Sequence, residues 1–352
     1  MPLLRFERLD SDVLLRAVGI CMVVYHHVVL YNGSPVETAL FGASAVGGMG
    51  MLLLLSGFSF ARFGLHNRGR TEAKAAVIST ARSIILPCYL AIIFFSIVAR
   101  TFNPYEFLMV GNFVRDNWQA GFNTWYPQFL LQVFLLIFLL YHIKPIGDWL
   151  VRRPVVGSVV LLALSLAIFL VMRESPIGWL RRPHLPWMLM WNFFLGWALF
   201  NLTKKDNDLR RKRILASVVC VAAVALTLHF SQTRSWVTCG GGLLLIWLPS
   251  FRFPKPVTRL AMILSQAALT IFILHMSVIK IFGFAFGRPN PFHLLEAGLV
   301  VLAVSGLWLV CASMSRAFTY LRLRQKEGGD LLPRHRDAEA QLVLSSVPAR
   351  SG

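Results

Sequence analysis

Arg16 and His27 are the residues whose types and spacing most suit chemistry, and both lie in the apolar run SDVLLRAVGICMVVYHHVVL over residues 11–30. This run reads as a first transmembrane helix. At about 100° per residue, the eleven steps between them turn roughly 1100°, which leaves the two side chains about 20° apart on one helix face. His26 points roughly 80° away from that line. A rise of about 1.5 Å per residue separates Arg16 from His27 by roughly 16 Å, about half of a hydrocarbon core of roughly 30 Å. A guanidinium is a fixed cation that forks onto phosphates and carboxylates, whereas an imidazole exchanges a proton near neutral pH. Two such groups at different depths of one apolar helix suggest a polar path through the bilayer. The same residues also suit interfacial seating, with Arg16 snorkelling to the cytoplasmic surface and the histidines at the outer headgroups.

Other polar residues must be weighed beside that pair. His275 stands in LSQAALTIFILHMSVIKIF, in the outer half of a late apolar run and at the depth expected for His27. Taken alone it is an ordinary packed histidine, but two histidines at one depth on distant helices carry more information. Gln128 and Gln132 lie four residues apart on one face of TWYPQFLLQVFLL, behind an aromatic start at Trp125 and Tyr126. Their amides suit hydrogen bonds to a sugar or a pantetheine chain, and the aromatics suit an interfacial belt. Arg181 and Arg182, with His184 and Trp187, form a basic outer loop that suits either an anionic or glycosidic substrate or an interfacial seat. Glu37, Glu106, Asp116, Glu174 and Glu296 all fall in outer loops or at span edges, and no carboxylate lies mid-span. Proton-coupled transporters commonly need one there, so that class receives little support. Ser56 and Gly57 in MLLLLSGFSF form a small-residue step on which another helix can approach closely.

Composition fixes the class of protein that positions these residues. Hydrophobic residues make up 56% of the 352 and charged residues 14%, with a mean hydropathy of +0.63, as expected for an integral membrane protein. The net charge of +19 is spread over short loops and forms no basic face, so nucleic acid is not an expected partner. Cys21, Cys88, Cys220, Cys239 and Cys311 have no paired spacing, and neither a metal site nor a disulfide framework is expected. Continuous apolar runs predict an all-α polytopic bundle of about ten spans, near 14–31, 44–61, 83–100, 124–142, 155–172, 185–201, 214–230, 235–249, 262–282 and 293–313. With a cytoplasmic N-terminus, the inner segments carry 27 Lys and Arg residues and the outer ones eight, which predicts both termini in the cytoplasm. Residues 1–321 form the expected membrane domain, and 322–352 a mobile cytoplasmic tail attracted to membrane lipid.

RLDSDVLLRAVGICMVVYHH resembles the opening of the membrane acyltransferase 3 family, whose first helix joins an Arg to a His across ten intervening residues. That spacing selects Arg16 and His27. MLLLLSGFSF is similar to the family's Leu-Ser-Gly-Phe step, TWYPQFLLQVFLL to its Trp-led fourth-span motif, and LSQAALTIFILHMSVI to its late His helix. The four occur in the family's order between about residues 8 and 282. The chain departs from the family's pattern in its acidic residues. The family's Asp usually stands three residues before the Arg, whereas Asp12 stands four and Asp10 six before Arg16. Where many members have a Glu-rich fourth-span motif this chain has Gln128 and Gln132, so the histidine's carboxylate partner is open.

The resemblance implies an integral membrane O-acyltransferase. It would take an acyl group, most often acetyl, from cytoplasmic acyl-CoA as co-substrate and pass it to a hydroxyl of a carbohydrate or glycolipid acceptor at the outer face, with no bound cofactor. Arg16 would bind the donor, His27 would act as general base, and His275 would orient it, donate to the thioester oxygen or bind the sugar. The family setting implies a bacterial inner membrane. A multi-span transporter or sugar flippase is the competing class.

Overall fold

The computed structural model describes residues 6–32, 47–114, 124–204, 209–228, 232–287 and 292–329. A strand β1, Phe6–Asp10, leads directly into α1, Ser11–Asn32. Next come α2, Gly47–Ser59, continuing as a π-helix over Phe60–Leu65, then α3, Arg70–Ala99, and the short α4, Pro104–Phe107. After α5, Trp125–His142, come α6, Lys144–Arg152, α7, Pro154–Glu174, and α8, Pro186–Thr203. The chain continues through α9, Leu209–Leu228, and α10, Gln232–Trp247. It ends with β2, Ser250–Pro254, α11, Lys255–Phe286, and α12, His293–Gly329.

Within the described residues each of the ten apolar segments read from the sequence overlaps one of these helices, and the molecule is an α-helical polytopic membrane protein. Among the described residues, seven helices are long and apolar enough to cross a membrane: α1, α2 with its π extension, α3, α5, α7, α11 and α12. The other three have evident reasons to fall short. Arg210, Arg211, Lys212 and Arg213 open α9, α10 has only 16 residues, and α8 contains Asn192 and Asn201. Even so, α8 buries Phe193, Phe194, Leu195, Trp197 and Leu199 and is a central element of the core. On α3, by contrast, Leu86, Leu90, Phe94 and Ile97 are exposed, a face that suits hydrocarbon and not water.

The bundle is assembled at glycine crossings. A Cβ at Gly57 on α2 would collide with the Phe193 carbonyl oxygen of α8, and a Cβ at Gly196 on α8 would collide with the Leu54 carbonyl oxygen of α2. The small-residue step at Ser56 and Gly57 is therefore where α8 crosses α2 at backbone contact. Gly48 marks a looser approach of α2 to α1, where a Cβ would lie 2.7 Å from the Gly19 carbonyl oxygen.

The two-stranded sheet departs from the all-α expectation. β1 and β2 pair antiparallel with Arg8 opposite Arg252 and Asp10 opposite Ser250. The start of α1 is pinned to the same place, since Ser11 donates its backbone N–H to Pro249 O at 3.0 Å and its hydroxyl to Leu248 O. Because α1 leaves β1 and α11 leaves β2, the clip starts both helices side by side, with Leu9, Ala17 and Ala261 packed between them.

Chain contacts divide the molecule into two units, Met1–Ser305 and Gly306–Gly352. The first holds every site residue considered below. In the second, the backbone of α12 stays helical to Gly329, eight residues into the expected tail. Residues 330–352 lie outside the described residues, as do Glu37 and Asp116.

Candidate active site

The clip that sets α1 beside α11 brings His27 and His275 into contact. His275 Nε2 lies 3.1 Å from His27 Nδ1, with ring centroids 4.8 Å apart. Each ring also turns Nδ1 back onto its own helix. His27 Nδ1 is 2.9 Å from Val23 O, and His275 Nδ1 is 2.7 Å from Phe272 O and 3.1 Å from Ile271 O.

These acceptors assign the tautomers. A carbonyl oxygen only accepts, so both Nδ1 atoms carry the proton. His275 Nε2 then holds a lone pair and accepts from His27 Nδ1–H, which is shared with Val23 O. His27 Nε2 is left with the free lone pair, and it has no hydrogen-bond partner among the described residues. His275 is fully buried while His27 is half-buried, so the chain of bonds has a sealed end and an open one.

An aromatic wall runs from this pair towards Arg16. Phe272 lies 5.6 Å from the His275 ring and 4.7 Å from Tyr126. Trp125 packs 5.9 Å from Phe272 and 4.7 Å from His184. Tyr126 meets Ser56 at 2.9 Å, and because the Ser56 hydroxyl donates to Leu52 O at 2.8 Å, the tyrosine is the donor of that contact. Three residues further along α2, the Ser59 hydroxyl accepts from Arg16 Nη2 at 2.6 Å. Among the described residues Arg16 pairs with no carboxylate. Asp12 goes instead to Arg62, at 3.4 Å, and Arg62 also holds Asp10 at 3.1 Å. Arg62 sits in the π-helical turn of α2, an insertion that re-aims side chains and recurs at functional positions.

The remaining candidates cluster beside α5. Gln128 is fully buried; its amide nitrogen donates to Glu106 at 2.7 Å and to Thr124 at 2.8 Å, and its oxygen accepts the Asn112 backbone N–H at 2.9 Å. Gln132 exchanges amide bonds with Asn112 at 2.9 and 3.0 Å and donates to Met109 O at 3.0 Å. Arg182 donates to Phe113 O at 2.8 Å, and Arg181 is exposed. Gln128, Gln132 and Arg182 thus tie residues 108–113, the first part of the connection from α4 to α5, beside the start of α5. Burial raises the Glu106 carboxyl above the usual carboxylate range, against the opposing pull of the Thr124 and Gln128 hydrogen bonds.

Sequence reasoning passed over Ser59, Tyr126, Phe272 and Glu106. Ser59 had a usable signal, standing one helical turn from Ser56. Tyr126 resembled an interfacial aromatic, and Glu106 an outer-loop carboxylate.

A family model described as an acyltransferase domain matches residues 9–313 of the chain. No curated protein and no solved structure matches it.

Proposed function

From the premise that the chain belongs to the acyltransferase 3 family, we propose that it carries an acyl group, acetyl foremost, from cytoplasmic acyl-CoA to a carbohydrate hydroxyl at the outer membrane face. It is a multi-pass membrane acyltransferase that transfers groups other than aminoacyl groups. The observation that carries the finer reading is the free Nε2 of His27, backed by Val23 O and His275.

Arg16, held by Ser59, meets a donor phosphate on the cytoplasmic side, and the pantetheine arm extends along α1 towards His27. The acceptor hydroxyl gives its proton to His27 Nε2 as its oxygen attacks the thioester carbonyl. The resulting imidazolium is held by Val23 O and by the His275 lone pair. Collapse of the tetrahedral intermediate breaks the carbon–sulfur bond, and the departing thiolate takes the proton back from His27. His275 thus acts as a positioning residue, keeping the proton of His27 on Nδ1. Gln128, Gln132 and Arg182 shape the acceptor side through the connection they hold, and exposed Arg181 meets the acceptor glycan.

The 27 to eight distribution of Lys and Arg supports ten spans with both termini in the cytoplasm. The family setting supports a bacterial inner membrane, and the charged composition beyond residue 321 supports a membrane domain over 1–321 with a terminal segment over 322–352.

Membranes containing the chain, supplied with acetyl-CoA labelled on the acetyl group, test this. At matched abundance, label reaches carbohydrate with the native chain and His26→Ala, and fails to do so with His27→Ala or Arg16→Ala. Equal transfer in all four samples, or none in any with a broad acceptor mixture, overturns the proposal.

A further inference from the structure

A second constellation lies at the cytoplasmic ends of the helices, apart from the histidine pair. The π turn of α2, the end of α8, the start of α9, the end of α10 and the β1–β2 clip enclose a cavity of about 580 Å³. Arg8, Arg62, Lys204 and Arg213 line it, with two carboxylates, Asp10 and Asp12, both engaged by Arg62. Lys204 and Arg213 face no carboxylate among the described residues. Lys204 Nζ donates to Asn67 Oδ1 at 3.1 Å, and the Arg213 guanidinium lies 5.9 Å from the Trp247 ring centroid. The cavity therefore holds an excess of fixed positive charge.

Its walls are apolar and aromatic. Phe58 and Phe200 meet edge to face at 5.5 Å, and the His66 ring packs against Phe200 at 5.6 Å. Burial and the charge of Lys204 hold His66 below the ordinary histidine range, so it presents a neutral ring. Cations beside flat aromatic and apolar surface suit a ligand that combines phosphates with a planar base. The volume is that of an ordinary small-molecule site. A smaller cavity of about 360 Å³, on the other side of α2, has hydroxyls from Ser56, Ser59 and Ser79 but a single cation, Arg68, and lacks this combination. The larger cavity adjoins the start of α1, while Ser59, the partner of Arg16, lines the smaller one. Asp12 lines the larger cavity, and Arg16 stands one helical turn further into the membrane on the same face of α1.

We propose that this cavity binds the phosphorylated nucleotide end of the acyl donor, with Lys204 and Arg213 as its phosphate ligands. The assignment rests on the acyl-CoA reading above and extends it to residues outside the first helix. An anionic lipid headgroup offers the same phosphate but no planar base for the Phe58 and Phe200 wall.

The test uses the full chain in phosphatidylcholine nanodiscs, titrated with adenosine 3′,5′-bisphosphate, a probe with neither thiol nor pantetheine. The double variant Lys204→Ala with Arg213→Ala should bind it at least about tenfold more weakly than the native chain, while Lys204→Arg stays close to native. In transfer assays the double variant raises KM for acetyl-CoA with kcat unchanged, and leaves KM for acetyl-pantetheine unchanged. Thermal unfolding matched to the native chain separates lost ligands from lost structure. Equal nucleotide binding in native and double variant overturns the proposal. So does native binding of phosphatidylglycerol, but not nucleotide, that the double variant loses. Nucleotide binding is read without any transfer, so an inactive native chain would count against the acyltransfer reading alone.

Discussion

The histidine pair and the Gln128 cluster are both buried polar networks within one bundle, and they differ in how their hydrogen bonds end. Around Gln128, the side-chain amides of Asn112, Gln128 and Gln132 each have protein partners, and Glu106 receives two donors. Along His275 and His27 the bonds run in one direction and stop at an open nitrogen. A closed network removes desolvation cost and fixes a loop. An open one places a lone pair where a substrate proton can be taken. Burial and polarity alone would have grouped the two together.

Four substitutions sharpen that contrast. The largest effect belongs to His27→Ala, which should lower acyl transfer by about 10²- to 10⁴-fold. Its stability cost should be about 1 kcal/mol, since the half-buried site admits water to His275 Nε2 once the Val23, His275 and His26 contacts are lost. A loss of stability matching that of Gln128→Leu would place His27 with the closed network. Gln128→Leu should do the reverse, destabilising the chain by about 2–4 kcal/mol because it leaves Glu106 and the Asn112 N–H with fewer partners, as unfolding midpoints in detergent would report.

His275→Phe keeps bulk and removes the lone pair behind His27. It should reduce kcat about tenfold with donor KM unchanged, and an equal rise in KM would argue for substrate contact instead. The smallest effect concerns Glu106. Its carboxyl is raised above its unfolded value by burial, so its contribution to stability is complete at low pH and is lost as pH rises through the raised value. Between about pH 5 and about pH 8 the native midpoint should fall more than that of Glu106→Gln; parallel curves would show that Glu106 does not govern this dependence.

The sequence made the helical half of this site legible because helix geometry is local. Eleven residues place Arg16 and His27 on one face whatever surrounds them, and the depth of His275 follows from its position in an apolar run. What brings the two histidines together is not local. The β1–β2 clip pairs Arg8 with Arg252, and two five-residue segments that far apart carry no mark of each other in one sequence. The Gln128 cluster stayed hidden for a similar reason. Gln128 and Gln132 were visible on one face of α5, but their partners Glu106 and Asn112 come from a preceding connection whose folding over α5 depends on tertiary contacts. The step at Ser56 and Gly57 was readable as a close approach, although its partner, Phe193 on α8, was not.

The central claim is that His27 Nε2 takes the substrate proton while Nδ1 stays bonded within the protein. Replacing His27 with Nε2-methylhistidine tests it most directly, since the methyl group blocks that nitrogen and leaves Nδ1–H in place. A chain of native abundance and stability that transfers no labelled acyl group, beside full transfer when the same residue replaces His26, is the predicted result. Retained transfer with the methylated residue at position 27 would contradict it.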